Sequence, residues 1–198
     1  MKSSSVRINV AIIPDKRVTS RAIRMSAALK KKGGLFVLGK TRHPHVTVYM
    51  SDFPRTQVRR IPKLLTTMFV STIHMRAFSY VVKKDGYVEV QFKVTPALRT
   101  MQQKIITALN PLRGGSVAHK EVFAKFSHRA KINTKRFGYP AIGAAFHPHI
   151  SFTRFKTAPK GLPLTTPITN FSFTAKELGV YVVGSHGTCK KLLKKISL

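Results

Sequence analysis

Arg42-His43-Pro44-His45-Val46-Thr47-Val48-Tyr49 is echoed 104 residues later by Phe146-His147-Pro148-His149-Ile150-Ser151-Phe152-Thr153. Each copy reads His-Pro-His, an apolar residue, a hydroxyl, and a second apolar residue. On an extended strand residues i and i+2 share a face, so His45 stands beside Thr47 and His149 beside Ser151. Val46, Val48, Ile150 and Phe152 fall on the other face, where they can bury under helices. The pattern therefore displays an imidazole with a hydroxyl twice, and a pseudo-twofold relation between the strands would turn the two histidines towards one substrate.

A phosphodiester needs such a pair. One group activates the nucleophile and the other protonates the leaving oxygen, and imidazole titrates near neutrality, so it serves in either role. The hydroxyls would donate hydrogen bonds to non-bridging oxygens as charge accumulates on them. No cofactor and no metal is needed. The four histidines His43, His45, His147 and His149 offer a zinc site as an alternative. Second-shell carboxylates are scarce here, however, with 6 Asp and Glu in the whole chain. Residues 34–41 match the letters of a phosphate-binding loop. They follow a helix tail, precede a strand, and carry bulky residues where phosphate would lie, so that reading is rejected.

Outward from the motifs, the chain shows the same order of elements twice. Val6, Ile8, Val10 and Ile12 alternate with Arg7, Asn9 and Ala11 and predict a strand with one buried face, ended by Pro14. A helix face over 20–32 is capped by Thr19 or Ser20 and stopped by Gly33 and Gly34. The first motif strand then covers 45–50. A short helix over 61–68, opened by Pro62, precedes strands over 73–82 and 87–94 joined by a hairpin turn at Asp85 and Gly86. Thr95 and Pro96 start a helix running to Leu109. Residues 114–138 read as an irregular basic excursion, with Lys120, Lys125, His128, Arg129, Lys131, Lys135 and Arg136 opposed only by Glu121. After the second motif strand come strands over 168–175, 178–183 and 189–196, with a turn at 184–187. The repeated order implies two similar lobes, interleaved in one domain over 1–198, that carry the motifs near 43–49 and 147–153.

The chain carries 36 Lys and Arg and a formal charge of +30, a field that attracts polyanions. RNA is the expected partner, as tRNA or RNA fragments, with a cyclic nucleotide as the small alternative. Phe123, Phe126, Phe137 and Tyr139 beside the basic excursion are candidate stacking platforms. The basic residues are scattered, which disfavours a membrane surface, and no stretch approaches the ~20 apolar residues of a span. A single cysteine, Cys189, and an N-terminus without a signal-peptide core fit a cytoplasmic protein.

In the paired motifs and the order of elements around them, the chain resembles the 2H phosphoesterases, which include RNA 2',3'-cyclic phosphodiesterases also called 2'-5' RNA ligases. The resemblance covers nearly the whole chain. It implies a bilobal α+β fold of antiparallel sheets with outer helices, the motifs lining a central groove. It implies that His45 is the general acid protonating the departing ribose oxygen, that His149 is the base activating water, and that Thr47 and Ser151 bind phosphate. Tyr49, Thr153, His43 and His147 are flanking substrate contacts. Arg154 matches an arginine found in some bacterial members, although simple alternation points it away from His149 unless the strand ends or bulges first. The reading from another class is a non-catalytic RNA-binding module that keeps the groove for recognition.

Overall fold

The apolar alternation that opens the chain becomes β1, Ser5–Ile12, in a computed structural model that describes residues 5–68, 71–115, 120–157 and 160–198. β1 is interior to a four-stranded antiparallel sheet. Its neighbours there are β2, Val46–Pro54, on one side, and on the other β8, Glu177–Val183, followed by β9, Cys189–Ser197. A three-stranded antiparallel sheet holds β4, Ala77–Val82, β5, Tyr87–Phe92, and β6, His149–Arg154, in that order. A two-stranded pair joins β3, Ile73–Met75, to β7, Phe173–Ala175. The first motif lies on β2 and the second on β6, and each of these sheets draws strands from both halves of the chain.

The helices cross between sheets. α1, Lys16–Lys31, begins earlier than the capping signals Thr19 and Ser20 predict, because Asp15 accepts from the backbone N–H of Val18 at 2.7 Å and caps it. It lies against β6, where Ser26 donates to the carbonyl of Phe152. The Arg55–Val58 turn, α2, and α3, Arg60–Thr66, follow β2. α4, Pro96–Leu109, starts as predicted, with Thr95 accepting from Leu98 N–H and proline in the first turn. Its Leu98, Met101, Ile105 and Leu109 are buried, each contributing about 1.5–3 kcal/mol of transfer free energy. α4 covers β2 through Gln102, which donates to the carbonyl of Val48.

Four expectations need correction. The basic excursion is not irregular: it contains α5, His128–Phe137, capped by Ser127 and terminated at Gly138, whose φ of 72° suits glycine. His119 lies outside the described residues, as do the side chains of Lys120 and Glu121. The segment 73–82 is two short strands, and 168–175 is a 3-10 turn, Ile168–Phe171, followed by β7. β1 is buried on both faces, since Asn9 and Ala11 are as enclosed as Ile8 and Val10. The turn at Asp85 and Gly86 forms as predicted, with Gly86 at φ 90°. Among the described residues no helix is long and apolar enough to cross a membrane.

Candidate active site

β2 and β6 open onto one cleft of about 650 Å³, lined by His45, immediately before the first, with Thr47 on it, and by His149, Ser151 and Arg154 from the second. A shallower groove of about 800 Å³ runs beside β7, lined by Asp15, Arg17, His74 and Glu177 among others, but it holds neither motif. Arg17 there is spent on the carbonyls of Asn170 and Ser172. The chemistry-bearing pattern lies in the first cleft.

The two motifs share their local geometry. His45 Nδ1 lies 2.7 Å from the carbonyl oxygen of His43, and His149 Nδ1 lies 2.7 Å from that of His147. A carbonyl only accepts, so Nδ1 of each ring carries hydrogen, and in the neutral ring Nε2 holds the free lone pair. The His-Pro-His segment leading into each strand thus fixes the tautomer of its imidazole. Burial pushes His45 down to about 4; the bond to the His43 carbonyl opposes this, and charge on His149 or His43 deepens it. His149 is also pushed down by burial, but Glu89 and the His147 carbonyl act against the shift.

Each motif strand bulges one residue after its hydroxyl. Val10 pairs with Tyr49 and Ala11 with Thr47, skipping Val48; Val88 pairs with Thr153 and Glu89 with Ser151, skipping Phe152. A bulge inverts the alternation beyond it. Tyr49 and Thr153, expected as substrate contacts, therefore bury: Tyr49 donates to the carbonyl of Phe137 at 2.6 Å, and Thr153 to that of Phe36 at 2.7 Å. The same inversion brings Met50 and Arg154 to the cleft. Arg154 Nε donates to the Asp85 carbonyl at 2.9 Å, with its guanidinium 5.3 Å from the Tyr87 ring.

The outer histidines differ. His147 lines the cleft and stacks on His149 at 5.3 Å, whereas His43 packs against Tyr181 at 5.5 Å and is not among the lining residues. Among the described residues no group of three His, Cys, Asp or Glu side chains comes together to hold a metal, so the four histidines do not assemble as a zinc site. Residues 34–41 run as a loop from α1 to β2, with Phe36 and Leu38 on the cleft wall. Of the candidate stacking aromatics, Phe126 and Tyr139 reach the cleft; Phe123 packs edge-on to Phe126 at 6.2 Å, and Phe137 packs on the core.

Two partners of the hydroxyls were not singled out from sequence. Asn9 Nδ2 donates to Thr47 Oγ1 at 2.9 Å, which leaves the threonine hydrogen free to point at a ligand. Ser151 Oγ instead donates to Glu89 Oε1 at 3.3 Å. That same carboxylate oxygen is 3.2 Å from Lys83 Nζ and 3.3 Å from His149 Nε2. The register that sets Glu89 opposite Ser151 was the only signal available, and it needs the pairing of β5 with β6.

No protein-family model and no curated protein matches the sequence. Solved structures do. E. coli LigT in its apo form is 15% identical, with 99% of each chain covered and a TM-score of 0.62. E. coli LigT complexed with ATP is 15% identical over 98% of this chain and 99% of that one, with a TM-score of 0.63. A crystallised phosphoesterase is 15% identical over 98% and 99%, at 0.53. The likeness is one of fold, and it spans the chain: this protein has the α+β fold of E. coli LigT, the fold that resemblance to the 2H phosphoesterases implies.

Proposed function

We propose that the chain is a metal-independent phosphodiesterase that hydrolyses 2',3'-cyclic phosphate at RNA ends, with the reverse 2'-5' joining open to it, and that residues 1–198 work as one bilobal unit. The observation that carries this is the pair of tautomer-fixed imidazoles, each with a hydroxyl two residues on, facing one cleft. One Nε2 takes a proton from water and the other gives one to the departing ribose oxygen, so the active form carries one proton between them. Thr47 and, once released from Glu89, Ser151 donate to the non-bridging oxygens. Arg154 closes the anion-binding set.

A fold shared with a protein crystallised with ATP supports a nucleotide-sized ligand. The net charge of +30 favours a polymer over a mononucleotide. Turnover of a nucleoside 2',3'-cyclic phosphate and of a short RNA ending in one, both with EDTA present, tests the reading. Turnover of neither would sink it, and RNA binding retained without His45 and His149 would favour a recognition module.

Two further outcomes are expected. The kcat/KM profile should be a bell whose acidic limb lies near pH 4, because below that His45 is also protonated and no base is left. A limb at pH 6 or above would contradict it. Raising salt should depress kcat/KM for the RNA far more than for the mononucleotide, with a log–log slope counting the phosphates neutralised. Equal slopes would mean that only the terminal phosphate is held.

A further inference from the structure

We propose that Glu89 is a positioning residue that holds His149 as the charged acid and leaves His45 as the base, the reverse of the roles that resemblance implies. The inference rests on the two-histidine reading above. Glu89 is fully buried, at 1% exposure, and among the described residues its Oε2 has no hydrogen-bond partner. Burying a carboxylate in a cleft that is to receive a phosphate is costly twice, once for desolvation and once for repulsion of the ligand. Such a residue needs a reason to be there.

The contacts supply one. Oε1 accepts from the Ser151 hydroxyl and lies 3.2 Å from the Lys83 ammonium, so it is placed as an ionised acceptor. His149 Nε2 is 3.3 Å from the same oxygen. Since Nδ1 already donates to the His147 carbonyl, a neutral His149 would aim its Nε2 lone pair at the carboxylate oxygen; only the doubly protonated ring makes that contact attractive. Burial opposes the charge most, with Lys83 and His147 adding to it, and holds His149 below the ordinary imidazole value; Glu89, then the His147 carbonyl, support the charge. Among the described residues His45 has no carboxylate partner of this kind. Burial, and charge on His149 or His43, disfavour a second proton on His45.

The step then balances. His45 Nε2 takes one proton from water as the water oxygen bonds to phosphorus. The bond from phosphorus to the ribose oxygen breaks, and that oxygen takes the proton of His149 Nε2. The product is a phosphomonoester, and solvent returns the proton from His45 to His149. Phosphate binding would draw the Ser151 hydroxyl, and the Nε2 hydrogen of His149, from Glu89 to the substrate, leaving the carboxylate to Lys83.

Imidazole nitrogen NMR tests this without any substrate. His149 is expected to titrate above His45; Glu89→Gln should lower the His149 midpoint, and Lys83→Met should raise it. His45 titrating at or above His149, or a His149 midpoint unmoved by Glu89→Gln in a folded variant, overturns the proposal. A kinetic arm uses thymidine 3'-(p-nitrophenyl phosphate), whose leaving group needs no acid. His149→Ala and Glu89→Gln should lose about 10²-fold or more on the cyclic phosphate and recover most of that loss on the aryl ester, whereas His45→Ala recovers none. Recovery in His45→Ala instead would overturn the roles. If the wild type turns over neither ester, the diesterase reading fails, while the titration order still stands or falls on its own.

Discussion

His45→Ala and His149→Ala are each expected to lower kcat on a nucleoside 2',3'-cyclic phosphate by about 10²–10⁴-fold, the usual contribution of a positioned acid or base. The double variant should fall little below the worse single one, because the two groups act in one step and their losses do not add. Neither side chain is part of the buried hydrophobic clusters, so the urea midpoint should stay close to the wild type. Circular dichroism and urea unfolding on the same samples separate lost chemistry from lost fold. A double variant that still turns over the ester would end the proposal.

Gln102→Leu is expected to cost about 3 kcal/mol or more of folding free energy, an effect large beside total stability. Gln102 is buried in the middle of α4, and its amide does three jobs. Nε2 donates to the carbonyls of Val48 and Ala141 at 3.0 and 3.1 Å, and Oε1 accepts from Gly143 N–H at 3.2 Å. Ser26 is its counterpart on α1: its hydroxyl donates to the Phe152 carbonyl at 2.6 Å and accepts from Leu38 N–H at 2.8 Å. Both satisfy the carbonyl of a bulged residue and pin the loop leading into a motif. Ser26→Ala leaves two buried groups unpaired and should cost about 2 kcal/mol or more. Urea unfolding with unchanged slope is the measurement; a loss below about 0.5 kcal/mol would show that the bulges do not need these partners.

The motif pair was legible because it combines a two-residue period with an identical repeat, and both survive in the fold. The cap at Thr95 and the turn at Gly86 were legible because each rests on local chemistry alone. What failed was non-local. Nothing in the letters marks Val48 or Phe152 as the skipped residue, so Tyr49 and Thr153 read as cleft residues, and Arg154 could be placed only conditionally. Glu89 sits in an ordinary strand and looks like an outward polar residue until β6 pairs with β5 and closes over it. α5 was hidden by its own composition: basic residues fill its exposed face, only Thr134 is buried, and no apolar stripe joins the caps at Ser127 and Gly138. Asn9 was read as solvent-facing because β1 was taken to have one wet side.

The exchange of strands between the two halves of the chain also bears on how the protein is made. Ile8 lies opposite Val182, and Tyr87 opposite Arg154. During synthesis β1 can pair with β2, yet its other edge stays open until β8 has emerged, and β5 waits in the same way for β6. Loop closure over such separations makes folding slow and leaves unpaired edges exposed for longer. A nascent chain of this charge would spend that interval held apart from its own kind by repulsion, and the lysines and arginines that draw in a polyanion would then also keep half-made molecules from pairing edge to edge.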